Sequence, residues 1–230
     1  MFSDKDDLQN EISISPQKVS RFLLWIVFYL IFLHIFLQAF HYFVSELPWL
    51  LRELFDVDEE ESFSTWFSAM ILFGASFLLF LIARASTFKK EKFSKHWYGL
   101  AIGFGFLSMD EVVGLHETFN TITEVAWTVP FTYLAAIIFA IYWKFLVYLP
   151  SKYKRRFLTA GGIFLSGGLL VEHLADYYVD LYEMDNFGYQ LLTSFEESLE
   201  MIGVILFIKA LLEYISSESL DSFRFIVNSK

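Results

Sequence analysis

Long apolar stretches alternate with short polar ones along most of the chain. A helix that crosses the hydrocarbon core of a membrane, about 30 Å thick, needs roughly 20 mostly apolar residues at about 1.5 Å each. Stretches of that length occur at about residues 22–44, 62–83, 97–118, 125–149, 157–178 and 191–215. The pattern predicts an all-α polytopic membrane protein with six transmembrane helices.

The distribution of basic residues predicts how these helices are oriented. All of the 17 Lys and Arg residues except Arg52 fall on one side when the N-terminus is placed in the cytoplasm. Because cytoplasmic loops retain positive charge, both termini are expected to be cytoplasmic. We expect an acidic cytoplasmic segment 1–20, a transmembrane domain 21–215 and a cytoplasmic tail 216–230. Segment 1–20 lacks the basic start of a secretory signal, so the first span is expected to remain in the protein.

The composition supports a membrane location and limits the chemistry. Hydrophobic residues make up 56% of the chain and the mean hydropathy is +0.47, which is more than a soluble core needs. There is no cysteine, so a metal site would have to use oxygen and imidazole ligands. The net charge of −10 supports no role in binding nucleic acid.

Acidic residues and histidines interrupt the third, fifth and sixth spans in their outer halves. By helical rise, Asp110 lies roughly 20 Å above the cytoplasmic end of its span, Glu172 about as high, and Glu200 about 14 Å below the outer surface. Helical spacing therefore predicts that three spans bring their acidic residues to overlapping depths. The candidate metal ligands are Asp110, His116, Glu117, Glu172, His173, Asp176, Glu196, Glu197 and Glu200.

The spacing of these residues places them on particular helix faces. The pattern E-[EH]-x-x-[DE] begins at Glu172 and again at Glu196, and positions i, i+1 and i+4 share one face of a helix. In the third span, Asp110 and Glu117 share a stripe if the helix is continuous. His116 diverges from that stripe, so it is either a ligand or a group that supports one.

Burying this many ionisable groups is costly, and that cost favours a bound cation. An ionised residue at the bilayer centre costs about 2.5–3.5 kcal/mol, so the set costs on the order of 10–20 kcal/mol even near the interface. No Lys or Arg lies in the outer half of a span, which leaves protonation, hydration or bound cations as compensation. Carboxylates mixed with imidazoles suit zinc, iron or manganese, and the set has enough ligands for a dinuclear site.

The loop between the first two spans combines acidic and apolar residues. Pro48, Trp49, Leu50 and Phe55 suit a short helix on the outer membrane surface, which would be either a lid or an inert surface element. His41 of the first span is expected near the same edge.

Two motifs resemble those of known families. D-E-x4-H-E from Asp110 and E-E-x2-E-x2-G from Glu196 resemble a pattern in multi-span bacterial membrane proteins of unknown function, which implies no activity. Ser108 and Asp110 also resemble, by loose analogy, part of the zinc site of alkaline-ceramidase-like membrane hydrolases. The chain has one predicted span fewer and no H-x3-H near its end, so those zinc ligands are not transferred.

Three functions are consistent with these observations. The first is a metal-dependent hydrolase or oxidase of the cytoplasmic membrane that acts on a lipid-like substrate, with Glu111 as the catalytic base. The second is a cation or proton transporter or channel that uses the same carboxylates. The third is an accessory subunit of a larger membrane complex. Membrane lipids are the expected partners in each case, and a homo-oligomer is compatible with all three.

Overall fold

The structure, a computed structural model, describes residues 14–122, 126–182 and 185–217, and these residues form helices without any strand. The helices are α1 (Pro16–Phe43), α2 (Trp49–Phe55), α3 (Phe63–Phe88), α4 (Ser94–Val113), α5 (Leu115–Ile122), α6 (Thr128–Tyr148), α7 (Ser151–Leu165), α8 (Glu172–Tyr182) and α9 (Phe187–Ser217). A π-helical turn, Ser166–Val171, joins α7 to α8. Most of the expected segment 1–20 and tail 216–230 lies outside the described residues.

Four helical segments, rather than the six expected, are long and apolar enough to cross a membrane. They are α1, α3, α6 and the continuous segment Ser151–Tyr182. The other two expected spans are also helical, as α4 and α9, but polar and charged residues lower their apolarity. α9 packs against α1, α3 and α7, so much of its surface is covered by protein and need not be apolar.

The prediction of a continuous third helix is wrong, because the helix is interrupted at Gly114. This glycine has φ +60°, a left-handed conformation that L side chains rarely adopt, and its N–H donates to the Asp110 carbonyl at 2.8 Å. α4 therefore ends at Val113, and α5 begins a new helix at Leu115. Asp110 and Glu117 consequently do not share one stripe of a continuous helix.

One end of the bundle, here called the basic end, contains the start of α1 and α7, the α3–α4 turn and the end of α9. Aromatic rings fill the interior beside this end: Trp97 lies 4.8 Å from Phe145 and 5.2 Å from Tyr214 between ring centroids. At its rim, Arg156 of α7 forms an ion pair with Glu213 of α9. Burial of large rings supplies much of the free energy that holds these helices together.

The opposite end, here called the acidic end, is crossed by residues 44–62, which we name the strap. The strap includes α2, which confirms the short helix expected from the sequence. Past α2 it contacts α1 through Asp56, α9 through Asp58 and the α4–α5 junction through Glu60. The strap therefore connects helices that come from distant parts of the chain.

Candidate functional site

α9 presents three glutamates near the acidic end. Glu196, Glu197 and Glu200 occupy positions i, i+1 and i+4 of a continuous helix, so they lie toward one side of it. Glu196 is only 6% exposed. Because α9 lies among the other helices, these carboxyl groups point into a region that protein largely encloses.

Glycines in the π-helical turn make room for the α9 glutamates. A Cβ added at Gly167 would lie 2.8 Å from both the Glu196 carbonyl oxygen and Glu200 Cγ, which is closer than real contacts allow. A Cβ at Gly168 would meet the Glu200 carboxylate in the same way. The two glycines therefore allow α9 to approach the turn. π-Helical turns of this kind occur frequently at functional sites.

Glu172, the first residue after the π-helical turn, joins the α9 glutamates. Its carboxyl group is in hydrogen-bonding contact with that of Glu196. Trp127, just before α6, donates from Nε1 to Glu172 Oε1 at 3.3 Å. Two carboxyl groups at hydrogen-bonding distance repel each other unless a proton or another cation lies between them. The Glu172–Glu196 pair therefore requires a positive partner.

α4 contributes acidic residues from the facing side. Glu111 lies near Ser68 of α3, and Asp110 Oδ2 lies 3.0 Å from His116 Nδ1. The charged neighbours of Glu200 include both Glu111 and His116. The structure therefore brings acidic residues of α4, α8 and α9 together, as helical rise predicts. We name Glu111, Glu172, Glu196, Glu197 and Glu200 the carboxylate cluster.

The carboxylate cluster lies between α4 and the α8–α9 side of the bundle, since Glu111 of α4 and Glu172 of α8 are both charged neighbours of Glu200. The close backbone contacts of α4 are with α3, and α4 reaches α9 through large side chains such as Phe104, whose ring stacks 4.9 Å from that of Phe207. Nearer the acidic end, glutamates take the place of these rings. Arg52 of the strap does not neutralise them by contact, since its Nη1 lies 2.9 Å from His41 Nε2.

Three further predicted metal ligands are not part of the carboxylate cluster. His173 is exposed, and the charged neighbours of Asp176 are Glu172, His173 and Asp180 on its own helix. The side chain of Glu117 lies outside the described residues. Across the described part of the chain, no three His, Asp or Glu side chains are arranged so that they could hold a metal ion.

Sequence reasoning missed two acidic residues of the strap whose charges act on the carboxylate cluster. Asp58 is a charged neighbour of Glu197, and Glu60 is a charged neighbour of Glu111. Both belong to an acidic run, in which Asp58 is exposed and Glu60 partly buried, and nothing in the sequence of that run predicts which carboxylates come near the cluster. By contrast, Ser108, which suggested the hydrolase analogy, donates to the Ala69 carbonyl at 2.8 Å and so joins α4 to α3.

Comparison with known proteins identifies a family without assigning an activity. No curated protein and no solved structure matches the chain significantly. A family model described as a domain of unknown function, DUF8692, matches residues 18–214. This range contains every residue of the carboxylate cluster, together with the strap and the aromatic interior. The chain therefore belongs to the DUF8692 family.

Proposed function

We propose that the chain is an integral membrane protein that binds a divalent metal ion in the outer half of its helix bundle. The observation that carries this proposal is the carboxylate cluster, in which acidic groups of three helices meet without contact from a Lys or Arg side chain among the described residues. Such an arrangement of ionised groups is strongly unfavourable, and bound cations would relieve it.

The membrane topology belongs to the same proposal. α4 and α9 cross the membrane beside the four more apolar segments, because neighbouring helices shield part of their polar surface from lipid. The basic end then faces the cytoplasm, where positive charge is retained, and the acidic end faces outward. This makes six crossings of the cytoplasmic membrane and leaves both termini in the cytoplasm.

The ligand types favour zinc, iron or manganese over softer metals, since the cluster offers carboxylates beside His116 and no thiolate. Glutamate side chains have several rotatable bonds, so rotamer changes can bring their oxygens to one ion. Glu197 and Glu200 of α9 are the first choice of ligands, with Glu172 from the α8 side. Protonated carboxyl groups are the competing explanation, and measurement of bound metal separates the two.

Glu111 is the proposed general base if the metal supports hydrolysis of a lipid-like substrate. It is a charged neighbour of Glu200 on α9, and it lies near Ser68. A bound divalent metal lowers the pKa of a coordinated water, and Glu111 would accept the proton released from that water. Glu111→Gln should then retain the metal and abolish turnover, whereas loss of the metal would make Glu111 a ligand instead.

Transport of cations is the alternative that the sequence leaves open. The aromatic interior argues against it, since Trp97 is 2% exposed and packs against Phe145, Phe157 and Tyr214 where a pathway toward the basic end would have to pass. We therefore expect liposomes containing the protein to show no more Mn²⁺ or proton flux than empty liposomes. Flux well above that of empty liposomes would favour a transporter.

The decisive experiment is elemental analysis of the full chain, purified in detergent with its affinity tag removed, by mass spectrometry. Wild-type protein is compared with Glu197→Gln/Glu200→Gln and with the control Glu46→Gln, which removes an exposed carboxylate of the strap. We expect stoichiometric zinc, iron or manganese in wild type and control, and none in the double variant. Wild-type protein that holds no metal, even after dialysis against each of the three, would contradict the proposal.

A further inference from the structure

A cavity of about 380 Å³ opens at the basic end, where the first turns of α1 and α7 meet the last turns of α9. Both α1 and α7 pack against α9, so residues of all three helices line this space. The lining includes Gln17 of α1, Lys152, Tyr153 and Arg156 of α7, and Glu213 and Ser217 of α9. We name this space the basic cavity.

Hydrogen bonds and one ion pair fix the walls of the basic cavity. The buried Tyr153 donates from its hydroxyl to Ser217 Oγ at 2.6 Å, which joins α7 to the end of α9. Glu213 forms an ion pair with Arg156 and accepts from Gln17 Nε2 at 3.5 Å, which joins α9 to both α7 and α1. Contacts between residues far apart in the chain therefore define the shape of the cavity.

Basic residues surround the basic cavity on all three helices. Among the described residues that line it, Lys152 and Arg156 are basic and Glu213 is acidic. Two more basic residues, Arg21 on α1 and Lys209 on α9, lie one helical turn further into the bundle, on the helix faces that line the cavity. Four basic side chains beside one carboxylate give this region a net positive charge, which attracts anions.

Beyond Arg21, the same face of α1 becomes aromatic. Trp25, Phe28 and Phe32 follow Arg21 at positions i+4, i+7 and i+11, and each is more than half exposed. Their ring centroids lie 5.6 Å apart between Trp25 and Phe28 and 6.1 Å apart between Phe28 and Phe32, so the three rings form a continuous strip. A basic cavity that is followed by an apolar strip matches an amphiphile with an anionic head and acyl chains.

From these features we infer that the basic cavity holds the headgroup of one anionic phospholipid, whose acyl chain lies along Trp25, Phe28 and Phe32. The inference goes beyond the proposed metal site and rests only on the membrane topology proposed above. Basic pockets between transmembrane helices on the cytoplasmic side bind acidic lipid headgroups. A soluble anion such as inorganic phosphate would meet the same positive charge, but it would gain nothing from the aromatic strip.

The first test counts bound lipids by native mass spectrometry. The full chain in detergent is titrated with phosphatidylglycerol and, separately, with phosphatidylcholine that has the same acyl chains. We expect one phosphatidylglycerol to bind at least about 10-fold more tightly than phosphatidylcholine, because only phosphatidylglycerol carries a net negative charge. Equal affinity for the two lipids would overturn the inference.

Variants decide whether this lipid occupies the basic cavity. Lys152→Gln and Lys209→Gln should each weaken phosphatidylglycerol binding by about 5-fold, since each removes one positive charge. Glu213→Gln should strengthen binding by about the same factor, because it removes a negative charge and releases Arg156, and general damage to the fold would not produce such a gain. The control Lys92→Gln removes an exposed charge elsewhere at the basic end and should change binding by less than about 2-fold. A loss in the control as large as in the two cavity variants would overturn the site in favour of general electrostatic attraction.

The last test locates the acyl chain. Phosphatidylglycerol with brominated acyl chains quenches tryptophan fluorescence on contact, so one equivalent should quench wild type more than Trp25→Phe. Equal quenching of the two proteins would overturn the placement of the acyl chain. Displacement of the lipid by an equal concentration of glycerophosphoglycerol, the same headgroup without acyl chains, would assign the cavity to a soluble phosphodiester instead. None of these measurements requires a bound metal, so they succeed or fail independently of the proposed metal site.

Discussion

The two halves of this helix bundle differ in the side chains that lie between their helices. Toward the basic end, large rings such as Trp97 and Phe145 meet in the interior, and the charged pair Arg156 and Glu213 lies at the rim. Toward the acidic end, the interior contains the carboxylate cluster, and glycines of the π-helical turn bring backbone close to it. The first half has the apolar, closely packed character of a stable core, whereas the second places ionisable groups between its helices.

This difference indicates where stability and function reside. Apolar rings stabilise a fold without needing partners, whereas carboxylates among helices destabilise it until a ligand binds. Proteins tolerate such local destabilisation at functional sites because the rest of the structure compensates for it. The aromatic interior is expected to provide that compensation here.

The largest expected effect tests the core half. Trp97→Ala removes a buried ring that contacts α6, α7 and α9, and should lower the free energy of unfolding by about 3–5 kcal/mol. Trp143→Ala is the control, because Trp143 is 54% exposed on α6 and should change stability little. Equilibrium unfolding in detergent, followed by circular dichroism, measures both. Similar losses in the two variants would contradict a core at this end.

The next effect tests the close approach of backbone to the cluster. Gly167→Ala places a Cβ 2.8 Å from the Glu196 carbonyl oxygen, which is backbone and cannot move aside, so it should cost about 1–3 kcal/mol of stability and also weaken Mn²⁺ binding. Gly162→Ala is a matched control from the preceding helix, where an added Cβ meets open space and should stabilise the helix by up to about 1 kcal/mol. The same unfolding assay and calorimetry apply. Equal stability of the two variants would contradict a close backbone approach at Gly167.

A smaller effect, of opposite sign, tests whether the cluster destabilises the metal-free protein. Glu197→Gln/Glu200→Gln removes like charges and should raise the free energy of unfolding without metal by about 0.5–2 kcal/mol. Added Mn²⁺ should stabilise wild type and leave the variant unchanged, because only wild type retains the site. A less stable metal-free variant would show that these carboxyl groups act as structural hydrogen-bonding groups instead.

The smallest effect concerns the charged pair at the rim of the core half. The side chain of Arg156 is 41% exposed where it meets Glu213, and partly exposed ion pairs contribute about 0–1 kcal/mol. Arg156→Gln should therefore change stability by no more than that, and leave Mn²⁺ binding unchanged. Unfolding at low and at high salt is the measurement. A loss of several kcal/mol would mean that this pair, rather than the aromatic rings, holds the basic end together.

Much of the fold could be predicted because it depends on local properties. The expected spans 22–44, 62–83 and 125–149 correspond closely to α1, α3 and α6, since a continuous apolar run of that length forms a helix in lipid. The break after α4 was missed, although Gly114 directly after an apolar helical run is a recognisable helix stop. The third predicted span is long enough to cross a membrane only if it includes the polar residues after Met109. That requirement led to the prediction of a helix running through Gly114.

The site could be predicted only in part, for a related reason. Helical rise predicts overlapping heights for Asp110, Glu172 and Glu200, and in the structure Glu172 and Glu111, the residue after Asp110, are charged neighbours of Glu200. His173 was grouped with Glu172 by spacing alone, but it is exposed. Spacing shows which residues share a face of their own helix, and it does not show which neighbouring helix that face meets.

The sequence alone therefore determined where the helices lie, which end of the bundle is basic, and at what depth the acidic residues sit. These properties depend on hydrophobic length, charge and a constant rise per residue. Only the tertiary structure decided that Phe104 of α4 meets Phe207 of α9, that Gly167 and Gly168 admit Glu200, and that the strap reaches Tyr189 and Gly114. Those features depend on contacts between residues far apart in the chain, such as Gln38 with Asp56, which no local pattern encodes.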